Sequence, residues 1–280
     1  MFITFLSDFG LQDDFVGTCH GVIKRIAPEV QIIDITHGIA PQAVMQGALV
    51  LRNTLPYMPE GVHLAVVDPG VGGPRRPLAL RDRAGRLYVG PDNGLLLPAV
   101  EAMGGIEAAH ELANPRYAVE PVSRTFHGRD LFAPAAAHLA LGVELADVGP
   151  PVAPDALVRL DLPEPELGAD RIGAVVLDVD RYGNMQLNVT RGELERAGVL
   201  PGTRLELEFQ GERYYATAVR TFADARPGDI VLYEDSYRNI AVAINRGNAA
   251  EMLAARAGHE LGIHMVGPTA RKVARRGESV

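Results

Sequence analysis

Between residues 148 and 167 the chain reads VGPPVAPDALVRLDLPEPEL, with five prolines and no sustained apolar period. Proline fixes φ and removes a backbone donor, so neither a helix interior nor a central strand runs through such a stretch. The chain is therefore expected to divide here, and the patterns on the two sides differ. Ahead of it, apolar strand-like runs alternate with helical ones. MFITFLSD is a strand ending on an acid, and DDFVGTCHGVIKRIAP sets Phe15, Cys19, Val22, Ile23 and Ile26 on one helical face. Asp13 or Asp14 is placed to cap that helix and Pro28 to end it. VQIIDIT, the helix-like APQAVMQGALVLRNTLP, VHLAVVD, the pair within PLALRDRAGRLYVG and a helix near RDLFAPAAAHLALG follow. This rhythm predicts an α/β domain over residues 1–150 with a mostly parallel central sheet.

Beyond a proline-rich linker at 151–168 the helical period fades. IGAVVLDVD, MQLNVT, RLELEFQ, YYATAVRT and DIVLYED are short strands at near-regular spacing, and GNAAEMLAARAG is a closing helix. A smaller β-barrel or sandwich domain is expected over 169–264, followed by a basic, frayed tail at 265–280.

Three predicted strands finish on an acid followed closely by glycine: Asp8 in FLSDFG, Asp68 in VVDPGVGG and Asp92 in YVGPDNG. In open α/β sheets ligands bind outside the carboxyl ends of the strands, which is where these acids fall. His127, in RTFHGRDLF, stands beside a glycine just before a predicted helix. Neither GxGxxG nor GxxxxGK[ST] occurs, which argues against a dinucleotide or P-loop site. Asp8, Asp13, Asp14, His20, Asp34 and His37 are of metal-ligand type, but no HExxH, EF-hand loop or cysteine pair organises them. No metal and no cofactor are expected, and His20 and His37 are read as hydrogen-bonded structural residues.

The net charge of −8 argues against a nucleic-acid surface, and no apolar run approaches the ~20 residues that span a bilayer. The opening MFITFLSDFG has no basic leader, and the single Cys19 excludes an internal disulfide. A reducing, cytoplasmic setting and a small-molecule partner are the expectation.

SDFGLQDDFVG, IIDITHGIAP, HLAVVDPGVGGPRR, VGPDNGLL, TFHGRDLFAPAAA, DRYGNMQLN and GNAAE occur in one order over about residues 6–253. In this the chain resembles the S-adenosyl-L-methionine (SAM) hydroxide adenosyltransferases, relatives of the SAM-dependent fluorinase and chlorinase. The resemblance implies displacement of methionine from C5′ of SAM by water, giving adenosine and L-methionine. It assigns the reaction to Asp68, Arg75 and His127, with the adjacent Arg76 an alternative to Arg75. It places Asp8 on the ribose hydroxyls, Asp13 and Asp180 on the methionine amino group, and Phe126 and Phe222 as apolar walls. Asn184, with the backbone near Asn248 and Ala249, falls on the adenine edge. Ser236 matches a methionine-contacting serine, although the following YRN departs from the relatives' pattern; Arg238 is the substitute for carboxylate recognition. A homotrimer with sites at subunit interfaces is implied as well. Against a halogenase, an anionic Asp68 would repel a halide by roughly a few kcal/mol at intermediate dielectric. A non-catalytic SAM or adenosine sensor has no need of all three reactive residue types, and a metal-dependent phosphohydrolase would be inhibited by a chelator.

Overall fold

The computed structural model describes residues 1–265. It divides into two compact units, at Asp161/Leu162. The expected basic tail lies, except for Met265, outside the described residues.

The first unit is built from β1 (Phe2–Ser7), α1 (Phe15–Ile26), β2 (Gln31–Thr36), α2 (Val44–Thr54), β3 (Gly61–Val66), β4 (Pro77–Asp82), β5 (Leu87–Pro91), α3 (Leu97–Ala102), β6 (Ile106–Glu111) and α4 (Ala133–Ala140). The strand order is β2-β1-β3-β5-β4-β6. β1 pairs in parallel with β2 and β3, and β3 with β5; β4 is antiparallel to both its neighbours, so it alone runs against the other five. Successive side chains of a strand face opposite ways, and both faces are covered. On one, Ile3, Phe5, Val62 and Leu64 pack on Cys19 and Ile23 of α1 and Ala136 and Leu139 of α4. On the other, Leu6, Ala65, Leu80 and Tyr88 pack on Ala48 and Leu51 of α2 and Ala99 and Val100 of α3. Each fully buried Leu or Ile contributes about 1.5–3 kcal/mol.

Two local expectations change. Phe15 is 40% exposed instead of joining the core face of α1, because it stacks on Phe9 and Phe126 above the sheet edge. Residues up to 161 of the proline-rich stretch are packed on the first unit: Val152 and Leu157 enter its core, and the Val158 N–H donates to Asp92 at 2.9 Å.

The second unit carries β7 (Glu166–Leu167), β8 (Arg171–Val179), β9 (Met185–Thr190), α5 (Arg191–Arg196), β10 (Arg204–Phe209), β11 (Glu212–Ala218), β12 (Ile230–Glu234), β13 (Asn239–Ile244), α6 (Ala249–Leu253) and β14 (Glu260–Met265). The order β14-β10-β11-β12-β13-β9-β8 closes through β14 pairing with β8, a seven-stranded barrel with β7 added outside β8. Leu205, Leu207 and Phe209 of β10 point inward and alternate with Glu206 and Glu208. A strand, not the last helix, completes the ring: α6 stops at Ala254, which takes φ +51°, and the chain returns as β14. All pairings around the ring are antiparallel except β11 with β12. That parallel pair needs a crossover, and residues 219–229 supply it, carrying Phe222. Among the described residues no helix is long and apolar enough to cross a membrane.

Candidate active site

The parallel register sets Ser7 of β1 beside Val66 of β3, so Asp8 and Asp68 leave the sheet at neighbouring carboxyl ends. After Asp68 the glycine loop folds through two turns, Val71 N–H to the Asp68 carbonyl at 3.3 Å and Gly73 N–H to that of Gly70 at 2.9 Å. Gly72 sits at φ +75°, and a Cβ there would lie 2.2 Å from the Arg124 carbonyl oxygen, so only glycine fits. This double turn brings Arg75 back onto the strand-end acid. Its Nε donates to both Asp68 oxygens at 3.0 Å, and its Nη2 to Oδ2 at 2.5 Å. The two side chains are only 10% and 5% exposed, and the guanidinium lies over the buried Phe132 ring at 5.3 Å.

The same Nη2 reaches His127 Nδ1 at 2.7 Å. A guanidinium has no acceptor, so Nδ1 receives this bond with its lone pair and the imidazole is neutral, its proton on Nε2. Burial, and then the Arg75 charge, hold the His127 pKa below the ordinary 6.5; Asp68 and a hydrogen bond to the Ser123 backbone only partly oppose them. Arg75 is thus shared between a carboxylate and a neutral imidazole.

Arg76 takes a different path. Its Nε and Nη2 meet Asp92 Oδ2 at 2.8 and 2.6 Å, and its Nη2 donates to the Ala156 carbonyl. Since Asp92 also accepts from Val158, this acid ties down the end of the first unit and takes no part in the site.

The turn that carries His127 is pinned by Asp130, a residue the motif contained and sequence reasoning passed over. Asp130 is fully buried, accepts from the Ser123 N–H at 2.8 Å and pairs with Arg129 at 2.6 and 2.9 Å. Burial pushes its pKa up, but Arg129 and the Ser123 bonds outweigh that and the net shift is downward. Its carbonyl accepts from Val119 and its N–H donates to the Phe126 carbonyl, so the 119–130 turn is pinned on both sides of His127.

The remaining first-unit residues lie on the loops around this edge. Asp8 is half-buried and its Oδ2 accepts from the Gln42 N–H at 2.8 Å, with acceptor capacity left on both oxygens. Asp13 is exposed in the turn before α1. Phe126 packs on Phe9 and Phe15, with ring centres 5.8 and 5.1 Å away, making an aromatic wall in which Phe9 was not named from the sequence and Phe15 was expected in the core face of α1.

In the barrel, Asp180 closes the β8–β9 turn: Oδ1 accepts from the Tyr182 and Asn184 N–H groups, and Oδ2 from Asn184 Nδ2 at 2.7 Å. Gly183, at φ +79°, lets Asn248 approach; a Cβ there would lie 1.7 Å from Asn248 Oδ1. Asn248 caps α6 by accepting from the Glu251 N–H, while Ala249 is fully buried in the barrel core, so of this pair Asn248 alone presents surface. Phe222 stacks on Tyr233 with ring centres 4.7 Å apart. Tyr233 was not anticipated. Burial, then the charges of Asp180 and Asp235, push its hydroxyl up to about 12. Ser236 follows Asp235 in the β12–β13 turn, and Arg238 stands 82% exposed, 3.4 Å from Glu234.

Family comparison decides what this arrangement belongs to. Residues 3–149 match the SAM hydroxide adenosyltransferase N-terminal domain, and residues 174–262 the C-terminal domain. The chain belongs to the SAM hydroxide adenosyltransferase family. Within it, the chain is 49% identical over 259 residues to a protein of Salinispora arenicola named (R)-S-adenosyl-L-methionine hydrolase, covering 92% of this chain and 96% of that one. It is 39% identical to the protein of that name from Thermus thermophilus, over 91% of this chain and 96% of the other. A fluorinase of Nocardia brasiliensis is more distant, at 33% identity over 89% and 91% of the two chains. A crystal structure of an uncharacterized conserved protein from Thermotoga maritima superposes with a TM-score of 0.87 at 32% identity, over 94% of this chain and 99% of that one.

Proposed function

We propose that this chain hydrolyses SAM to adenosine and L-methionine by attack of water on C5′. The observation that carries this is Arg75 held between Asp68 and His127, in a chain whose 49%-identical relative is named for that hydrolysis. The water oxygen bonds to C5′, and the C5′–S pair leaves with sulfur as a neutral thioether, so the leaving group needs no general acid. Free water is far too weak an acid to be deprotonated beforehand by a carboxylate. Asp68 takes the proton late, as the attacking oxygen becomes positive, and passes it to solvent. Asp68 Oδ2 accepts twice from Arg75, whereas Oδ1 accepts once and keeps a lone pair for that water. Arg75 fixes the Asp68 carboxylate, and through it the position of the water. With Nδ1 engaged by Arg75, His127 serves to fix the guanidinium.

Asp8 binds the ribose hydroxyls, Asp13 and Asp180 the amino group, and Phe126 and Phe222 flank the apolar parts. Asn184 and Asn248 read adenine, and Ser236 and Arg238 face the methionine end. Because these residues are divided between the two units, we propose a homotrimer in which neighbouring copies complete each other's site. The reaction needs no cofactor, and a reducing cytoplasm suits the single Cys19, which is buried with its thiol pushed up to about 12 by burial.

Incubating chelator-treated protein with SAM and separating the products tests the assignment. Adenosine and methionine should appear in equal amounts, and saturating chloride should yield no halogenated nucleoside. A 5′-chloro product, or tight SAM binding without turnover, would replace the hydrolase with a halogenase or a sensor.

A further inference from the structure

Behind Asp8, three side chains from three segments meet at one point. Asp34 of β2 presents Oδ1 to His20 Nε2 of α1 at 2.9 Å and to His37 Nε2 at 3.1 Å. The three donor atoms all lie within 4.8 Å of one another. His20 and Asp34 are partly exposed, at 31% and 41% of their side chains, whereas His37 is 3% exposed. Two imidazoles sharing one carboxylate oxygen is by itself an ordinary hydrogen-bonded network.

The His37 nitrogen argues for more. Although 3.1 Å from Asp34, buried Nε2 makes no hydrogen bond of acceptable geometry, so it points past the oxygen and not at it. An unpartnered buried ring nitrogen is costly, and a metal ion beside all three donors relieves it. Ligands at about 2.0–2.2 Å from one tetrahedral ion stand about 3.3–3.6 Å apart, and the 2.9 and 3.1 Å from the two imidazole nitrogens to Asp34 Oδ1 open to that with a small shift. The opposite ring nitrogen, His37 Nδ1, is held by Ser7 Oγ at 2.7 Å, the outer-shell contact that orients ligating histidines. Phe5 packs edge-on against the ring at 4.7 Å and limits its movement.

We propose that His20, Asp34 and His37 bind one borderline divalent transition-metal ion, with zinc the best match. Two imidazoles and one carboxylate suit zinc; magnesium and calcium take oxygen donors. The ion ties α1 to β2 and to the segment after it. That segment reaches the catalytic edge through the His37 carbonyl, which accepts from Gly10, and the Gln42 N–H, which donates to Asp8. The role is a clamp behind the ribose-binding loop, outside the reaction.

The test uses tag-free, chelator-stripped full-length protein titrated with zinc against a chromophoric competitor, with melting temperature read in parallel. The expected result is one zinc per chain and a zinc-dependent rise in melting temperature. Both should be lost in His20→Ala, at a partly exposed helix position where circular dichroism checks the fold. Ser7→Ala should weaken zinc binding by about 10–100-fold while keeping all three ligands. Absence of one-to-one binding at micromolar zinc, or binding as tight in His20→Ala as in the parent, would overturn the site. Loss of binding in a His264→Ala variant instead would do the same, because His264 has a separate carboxylate partner, Glu208, at 2.9 Å.

Discussion

Arg75 and Arg76 leave the same loop and meet different carboxylates, Asp68 and Asp92. Their substitutions should therefore separate. Arg75→Lys removes the planar fork that spans Asp68 and His127, and kcat should fall by about 10²–10³-fold with KM changed far less. Arg76→Lys should lower melting temperature and leave kcat within a few-fold; equal losses of kcat would contradict the division. His127 gives a pH signature. Because its pKa is held below 6.5, the imidazole stays neutral, and accepts from Arg75, as pH falls through that value. Activity should persist below pH 6.5 and decline only further down, as protonation sets a second cation against the guanidinium. His127→Asn keeps an acceptor that does not titrate, so that acid limb should flatten; an unchanged pH–rate profile would show that it belongs to another group.

The sheet carries its own pH dependence through β3. His63 is buried against Tyr88, bonded to Thr4 Oγ1 at 2.9 Å, and pushed down to about 4 by burial and then by Arg86. The unfolded chain takes up this proton near 6.5, whereas the folded chain does not until about 4. Stability is then full above pH 6.5 and lost as pH falls toward 4, by roughly 3 kcal/mol at about 1.36 kcal/mol per unit. Denaturant titrations at pH 7 and 4.5 should show that loss, reduced in His63→Gln; equal slopes would remove His63 from the account. The strands of the first unit were legible because buried parallel strands read as apolar runs between helical periods. The loop residues of the site were legible through VDPGVGGPRR and TFHGRD. The choice between the two arginines lies in how the loop turns, which spacing alone does not give. β14 escaped notice because its partners β8 and β10 are distant in sequence, so the strand has meaning only in the closed ring. α5 did carry a signal, the Thr190–Glu193 capping box, overlooked among strand patterns.

Across the whole molecule, the proposed substrate contacts fall into a set on the α/β unit and a set on the barrel. If neighbouring copies complete one another's sites, Asp68→Ala and Asp180→Ala, each impaired alone, should regain activity when co-expressed. Mixed trimers then contain sites with both parent residues. Activity no greater than the sum of the two separate variants would contradict sharing between copies. The reaction itself is tested most directly by isotope. Chelator-treated protein is incubated with SAM in oxygen-18 water, and the adenosine is weighed by mass spectrometry. Attack by a water held at Asp68 and Arg75 predicts adenosine labelled at its 5′ oxygen, one labelled oxygen for each methionine released, and little product from Asp68→Ala. Unlabelled adenosine, or labelled adenosine formed equally fast by Asp68→Ala, would contradict it.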